Sequence, residues 1–142
     1  MCLIQIRGRR ISLWLKNNFK QSILNFQKIN MQYDLEERCS VFAENVVVLC
    51  KKIKLNDLNK SIIIQLIRSA TSIGANYMEA NGASSKKDFK NKIFICLKEA
   101  RETKHWLRLL ARLEEEHIRQ CRILWQEVHE LCLIFGKISS SC

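Results

Sequence analysis

The stretch KSIIIQLIRSATSIGANYMEAN, residues Lys60–Asn81, decides the fold. Ile62, Leu66, Ser69, Ile73, Asn76 and Ala80 recur at steps of three and four, which places them on one face of an α-helix. Ile63, Ile67, Ala70, Gly74 and Tyr77 form a second stripe beside the first. So wide an apolar arc predicts contacts on two sides. The small residues Ser69–Ala75 at its middle allow a neighbouring helix to come close. Asn81-Gly82 then reads as a helix end, with Gly82 expected in the left-handed conformation that closes helices.

Working outward, the segment before it repeats the pattern. Leu35, Cys39, Phe42, Val46, Leu49 and Ile53 predict a helix over 35–53, with Glu36, Glu37 and Glu44 towards its start and Lys51, Lys52 and Lys54 at its end, as the helix dipole favours. Residues 55–59 form the turn. Downstream, Ser85-Lys86-Lys87-Asp88 reads as a capping box that opens a third helix running to about Leu113. Its core face is Phe89, Ile93, Cys96, Ala100, Thr103, Leu107 and Leu110. A fourth helix over 118–138 follows from Ile118, Cys121, Trp125, Val128, Cys132 and Phe135. Gly136 and the serines after Ile138 predict a frayed tail over 139–142. Short connections between consecutive helices predict an antiparallel up-down-up-down four-helix bundle over 33–138.

Composition agrees with an all-α chain. Among 142 residues there is no proline and there are four glycines, too few turn-formers for a sandwich or barrel, and 47% hydrophobic content suffices for one core. Cys39, Cys50, Cys96, Cys121 and Cys132 occupy apolar positions of the helical patterns, as buried free thiols do. The cysteine total is odd and no CxxC pair occurs, so a reduced, cytoplasmic protein is expected. No stretch is long and apolar enough to span a membrane.

Charge is the functional signal. The formal net charge is +10, which favours polyanionic partners. Residues 1–32 are read as a basic extension outside the bundle. Arg7, Arg9, Arg10, Lys16, Lys20 and Lys28 lie there without a single acid up to residue 30, and a membrane-surface helix or nucleic-acid arm are the other readings. On the third helix, Lys86, Lys90, Arg101, Lys104, Arg108 and Arg112 share an arc of about 80°, with Lys87 and Lys98 just beside it. A ridge of one sign over about seven turns is suited to tracking a phosphate backbone, although charge runs are more often plain solvated faces. Phe94 and Leu97 fall in the same arc, which predicts that part of it is covered by a partner helix.

The remaining polar groups point to structure. Arg68, Asn76, Glu79, Glu99 and Glu102 are expected to form an interhelical polar network that sets register. No nucleophile–base set is present, so no catalytic residue is assigned; Glu79 and Glu99 as a metal-dependent nuclease pair is the enzymatic alternative. His117 with Cys121, and His129 with Cys132, each share a helix face. The two histidines lie about 18 Å apart along one helix, too far to share an ion. No metal and no cofactor are expected.

Three segments carry a family resemblance. YDLEERCSVFAENVV (Tyr33–Val47) matches a start of the type Y-x-L-x-x-R-x-x-x-F-A. IRSATSIGANYMEANGASSKKDF (Ile67–Phe89) carries R-x-A-x-S-I-x-x-N-x-x-E through Arg68, Ala70, Ser72, Ile73, Asn76 and Glu79. LKEARETKHWLRLL (Leu97–Leu110) looks like E-A-x-E-T-x-x-W-L through Glu99, Ala100, Glu102, Thr103, Trp106 and Leu107. Over about four fifths of its length the chain resembles the small bacterial four-helix-bundle proteins encoded in intervening sequences of 23S ribosomal RNA genes. It departs at Ala80-Asn81-Gly82, where the family often has Glu-Gly directly. The resemblance implies a ring-like homopentamer without enzymatic activity, related to the accessory variability protein of diversity-generating retroelements, which binds a reverse transcriptase and nucleic acid. The expected function is a homo-oligomeric scaffold that binds RNA or DNA through its basic third helix, with a reverse transcriptase or ribosomal component as candidate partner. The alternative is a structural adaptor that recognises another protein without nucleic acid.

Overall fold

The computed structural model describes residues 34–141. Among these there are four α-helices and no strand: α1 (Leu35–Lys52), α2 (Lys60–Asn81), α3 (Lys86–Leu113) and α4 (Ile118–Ser141), with a 3-10 turn (Glu115–His117) leading into α4. The expectations for residues 1–32, basic extension included, and for Cys142 lie outside the described residues.

The buried positions follow the helical repeats. Cys39, Phe42, Val46, Leu49 and Cys50 face inward from α1, and Ile63, Leu66, Ala70 and Ile73 from α2. From α3 come Ile93, Cys96, Leu97, Ala100, Leu107 and Leu110, and from α4 Cys121, Leu124, Val128, Leu131 and Phe135. The two stripes expected on α2 merge into one inward face, with Ile63, Leu66, Ser69, Ala70, Ile73, Gly74 and Ala80 buried; Ile62, Ile67, Asn76 and Tyr77 are only half-buried, and Ile64 and Met78 are exposed. On α4, Leu124 and Leu131 join the core while Trp125 sits at its edge.

Named contacts hold the helices in register. Between α1 and α2, Gly74 is buried so close to Cys39 that a methyl group there would touch the Cys39 Cβ at 3.6 Å. Between α1 and α4, Arg38 donates from Nε to Glu127 Oε1 at 2.6 Å and from Nη2 to Glu127 Oε2 at 3.0 Å and Glu130 Oε2 at 2.5 Å. This fork-on-carboxylate geometry raises the Arg38 pKa, chiefly through its bonds to Glu127. Between α2 and α3, the buried hydroxyls of Ser69 and Thr103 lie 2.9 Å apart, the Cys96 thiol reaches the Ile73 carbonyl at 3.5 Å, and Lys92 pairs with Glu79.

Two local expectations change and one holds. Gly82 ends α2 with φ −93°, inside the region any residue adopts, and no described residue has positive φ. The turn closes through ordinary backbone bonds from Gly82 N to Met78 O and Ala83 N to Ala80 O, so no left-handed step is needed. Ser85 caps α3 as expected, its hydroxyl accepting from Asp88 N at 3.1 Å. The fourth helix does not fray after Ile138 but continues to Ser141. Ser139 is buried, and the Ser140 and Ser141 hydroxyls each donate to the Lys137 carbonyl at 2.9 Å, satisfying a helix-end acceptor from within the helix.

The turn between α1 and α2 is built by asparagines. Asn56 Oδ1 accepts from Leu58 N and Asn59 N, and Asn59 Oδ1 accepts from Asn56 N, all at 2.9 Å. Asn59 is fully buried, and its Nδ2 donates to the Lys54 carbonyl at 2.9 Å and to Glu114 Oε1 at 2.7 Å. One amide thus ties this turn to the junction between α3 and α4. Asn59→Ala strands the Asn56 amide and the Lys54 carbonyl, so it is expected to lower unfolding free energy by about 2–3 kcal/mol in urea melts. Gly74→Ala has the opposite sign: the new methyl meets Cys39 at ordinary contact distance, and a helical glycine costs about 1 kcal/mol relative to alanine. The melt should move to higher urea.

Candidate nucleic-acid interface on the third helix

α3 contacts two neighbours along opposite borders of its buried arc. Thr103, Cys96 and Lys92 mark the border towards α2. Lys104 marks the border towards α4: its Nζ lies 3.0 Å from His129 Nδ1 and 4.6 Å from the centre of the Trp125 ring. A lysine ammonium only donates, so Nδ1 of His129 accepts and the ring carries its proton on Nε2. His129 stacks on Trp125, centroids 5.4 Å apart and planes 18° from parallel.

This placement locates the basic ridge. The sequence arc of Lys86, Lys90, Arg101, Lys104, Arg108 and Arg112 adjoins the core face at the α4 border. The ridge therefore runs along a seam and not along the outermost line of the helix. Lys90 and Lys104 are half-buried there, whereas Lys86, Arg101, Arg108 and Arg112 are exposed, and Lys87 and Lys98 are exposed farther round. Leu97, in the same arc, is buried within the chain itself, while Phe94 remains 51% exposed.

The seam continues onto α4. Arg108, Arg112, Leu107 and Ala111 from α3, with Ile118, Cys121, Arg122 and Trp125 from α4, line a cleft of about 370 Å³. Arg122 belongs to the site although the sequence pattern on α3 did not point to it. The signal was on the other helix, where Arg122 and Trp125 stand three residues apart on the side that meets α3. None of the ion pairs among the described residues involves Arg101, Arg108, Arg112 or Arg122. Among the described residues, no paired carboxylate neutralises their charge.

The residues expected to form one polar network are distributed over separate contacts. Glu79 pairs with Lys92 across α2 and α3, and this bond raises the lysine's pKa. Asn76 donates to the Ser72 carbonyl of its own helix at 2.8 Å, and Glu102 accepts from Trp106 Nε1 at 3.1 Å. Burial raises the Glu99 pKa, Glu102 adds to the rise, and Lys98 and Arg68 oppose it. Arg68 reaches this group through its field alone among the contacts described, because its exposed side chain makes no ion pair with Glu99.

His117 Nδ1 lies 3.1 Å from Gln120 Oε1, and no cluster of three metal-ligating side chains occurs among the described residues. Cys39, Cys50, Cys96, Cys121 and Cys132 are free and buried. Burial is the first cause of a raised thiol pKa at each, to about 12 for Cys39 and Cys96 and about 11 for Cys50 and Cys121. No described helix is long and apolar enough to cross a membrane.

Comparison with known proteins agrees with this architecture. The family model described as "23S rRNA-intervening sequence protein" matches residues 31–137. A crystal structure from Bacteroides thetaiotaomicron, of a protein of unknown function from the S23 ribosomal protein family, is 37% identical with a TM-score of 0.66. The alignment covers 73% of this chain and 96% of that one. No curated protein matches the chain.

The thiols yield a prediction with a definite sign. A raised pKa favours the protonated group in the folded state, so the stability is complete below the ordinary value of 9 and is lost as pH rises through 9 towards 11–12. Cys39, Cys50, Cys96 and Cys121 should each remove up to about 1.4 kcal/mol per pH unit in that window, and Cys132 acts in the same direction. Iodoacetamide at pH 8 should leave all five unmodified in peptide mass spectra of the folded protein and modify all five in guanidinium.

Proposed function

Starting from the fact that the chain belongs to the 23S rRNA-intervening sequence protein family, we propose that it is a non-enzymatic, homo-oligomeric scaffold which binds the backbone of RNA or DNA along the α3–α4 seam. The observation that carries this reading is the row of exposed arginines, Arg101, Arg108, Arg112 and Arg122, outside every ion pair of the described residues. Guanidinium groups bind phosphate bidentately, and each phosphate bound releases condensed counterions. Lys104, held half-buried beside them, adds fixed positive charge at the base of the row. A ribosomal component or a reverse transcriptase is the protein partner this reading expects, in the cytoplasm.

The protomer in this reading is an antiparallel up-down-up-down bundle. It is supported by the pairings Ser69–Thr103, Ile73–Cys96 and Glu79–Lys92, in which numbers rise along α2 as they fall along α3. Assembly, a pentamer by the family resemblance, is supported by apolar side chains left in solvent: Ile64 and Met78 on α2, Phe94 on α3, and Leu133 and Ile123 on α4. Where such side chains adjoin one another they mark protein contacts. Several copies of one weak phosphate-binding seam would bind a long polyanion by avidity. The same apolar side chains favour the second reading, an oligomeric adaptor that recognises another protein and no nucleic acid.

Replacing Arg101, Arg108 and Arg112 together by glutamate separates the two. All three are exposed, so the fold should survive, as judged by an unchanged urea midpoint. Nucleic-acid affinity in anisotropy titrations should fall at least tenfold at low salt, and the slope of log K against log salt should flatten by about 0.7–0.9 for each phosphate that is no longer neutralised. Unchanged affinity and slope would remove the seam as the site. Absence of any binding by the wild type at low salt would favour the adaptor.

A further inference from the structure

The cleft at the α3–α4 seam holds more than positive charge. Trp125 forms part of its wall, together with Arg122 one turn before it on α4 and with Arg108 and Arg112 on α3. Lys104 and His129, which engage the indole by cation–π contact and stacking, are absent from the cleft lining. The α4 residues that do line it, Ile118, Cys121 and Arg122, all precede Trp125. The α3 residues, Leu107, Arg108, Ala111 and Arg112, all follow Lys104. The register of the two helices thus places the Lys104–His129 pair towards one end of the seam and the open cleft towards the other. Trp125 stands between them.

We infer that this cleft takes one unstacked base of a single-stranded nucleic acid against Trp125, with the flanking phosphates held by Arg108, Arg112 and Arg122. The inference rests on the reading of the seam as a nucleic-acid interface and specifies which form it selects. Three physical points carry it. Aromatic rings bind bases of single strands because every base has a π face, whereas the bases of a duplex are already stacked on one another. An indole pinned by Lys104 and His129 gives up little side-chain entropy on binding, because its position is already set. The cleft, about 370 Å³ with three arginines in its lining, suits a group that is aromatic at one end and anionic at the other. A purely electrostatic strip needs no aromatic wall and would not distinguish single strands from duplexes by stacking.

The experiment uses the full chain, a short mixed-sequence RNA, and the same RNA annealed to its complement. The wild type should bind the single strand about tenfold more tightly than the duplex, in line with the worth of one base–aromatic stack. Its indole emission, read in a Trp14→Phe, Trp106→Phe background so that Trp125 reports alone, should be quenched by the single strand and not by the duplex. Trp125→Phe should keep the preference, Trp125→Leu should bring the affinities of the two forms together, and Arg122→Gln should weaken both forms and flatten the salt slope. Equal binding of the two forms, or a preference that survives Trp125→Leu, overturns the base site while leaving the phosphate reading of the seam intact. Binding of neither form at low salt overturns both. Should Trp125→Leu fail to fold, the emission measurement decides: an indole that the single strand does not quench is not in contact with a base.

Discussion

The need of α3 to bury side chains against neighbours on both of its flanks governs the rest of the structure. Its inward arc, from Thr103 at the α2 border to Leu97 and Lys104 at the α4 border, is fully used by apolar and small residues. Charged side chains of the same helix can then occupy only the borders or the outer face. An ammonium or guanidinium is too costly to desolvate without partners, so cations at the α4 border lay their apolar stems along the seam and keep their heads at its rim. Lys104 illustrates this compromise: its head reaches an imidazole nitrogen and an indole face and stays at the edge of solvent.

That constraint turns a charge pattern into a candidate site. On an isolated helix, the basic arc would be one solvated stripe among others. Packed against α4, it faces the side chains that α4 presents at the same border, and those include Arg122, Trp125 and His129. Two helices each supplying cations to one groove raise the local potential more than either does alone, because the apolar walls between them screen poorly. Four acidic groups are engaged away from this seam: Glu127 and Glu130 by Arg38, Glu79 by Lys92, and Glu114 by Asn59. The division of charge follows from which borders pair, and it leaves the α3–α4 seam positive.

The polar groups that are buried serve to specify one arrangement. Thr103 and Ser69 satisfy each other across α2 and α3, with the Thr103 hydroxyl also 2.8 Å from its own helix carbonyl at Glu99. Asn59 performs the corresponding role at the end of the molecule, where two connections meet. No buried side-chain nitrogen or oxygen among the described residues lacks a partner. An apolar core alone tolerates small slips of one helix along another, whereas a slip here would leave hydroxyls and an amide unsatisfied at about 1–3 kcal/mol each. The thiols contribute differently, filling apolar positions with their ionisation suppressed by burial.

Periodicity in the sequence was enough to determine that this chain is helical, where three of its helices end to within a residue, and which stripe faces inward on every helix but α2, whose two stripes share one face. This holds because hydrophobic burial and helical geometry act locally and leave a readable repeat. It also showed the cations of α3 in one arc, since angular position on a helix follows from residue number. What that arc adjoins was decided only by the tertiary structure. Arg122 and Trp125 are sixteen and nineteen residues beyond Trp106 in the chain, and no repeat on α4 announces that their border meets the basic border of α3. The same holds for Asn59 with Glu114 and Arg38 with Glu127, pairs separated by 55 and 89 residues. The dispersal of Arg68, Asn76, Glu79, Glu99 and Glu102 over separate contacts was likewise invisible beforehand. A wheel gives each side chain's direction about its own axis, while a partner also depends on the depth and height at which a second helix arrives, and packing between helices fixes those.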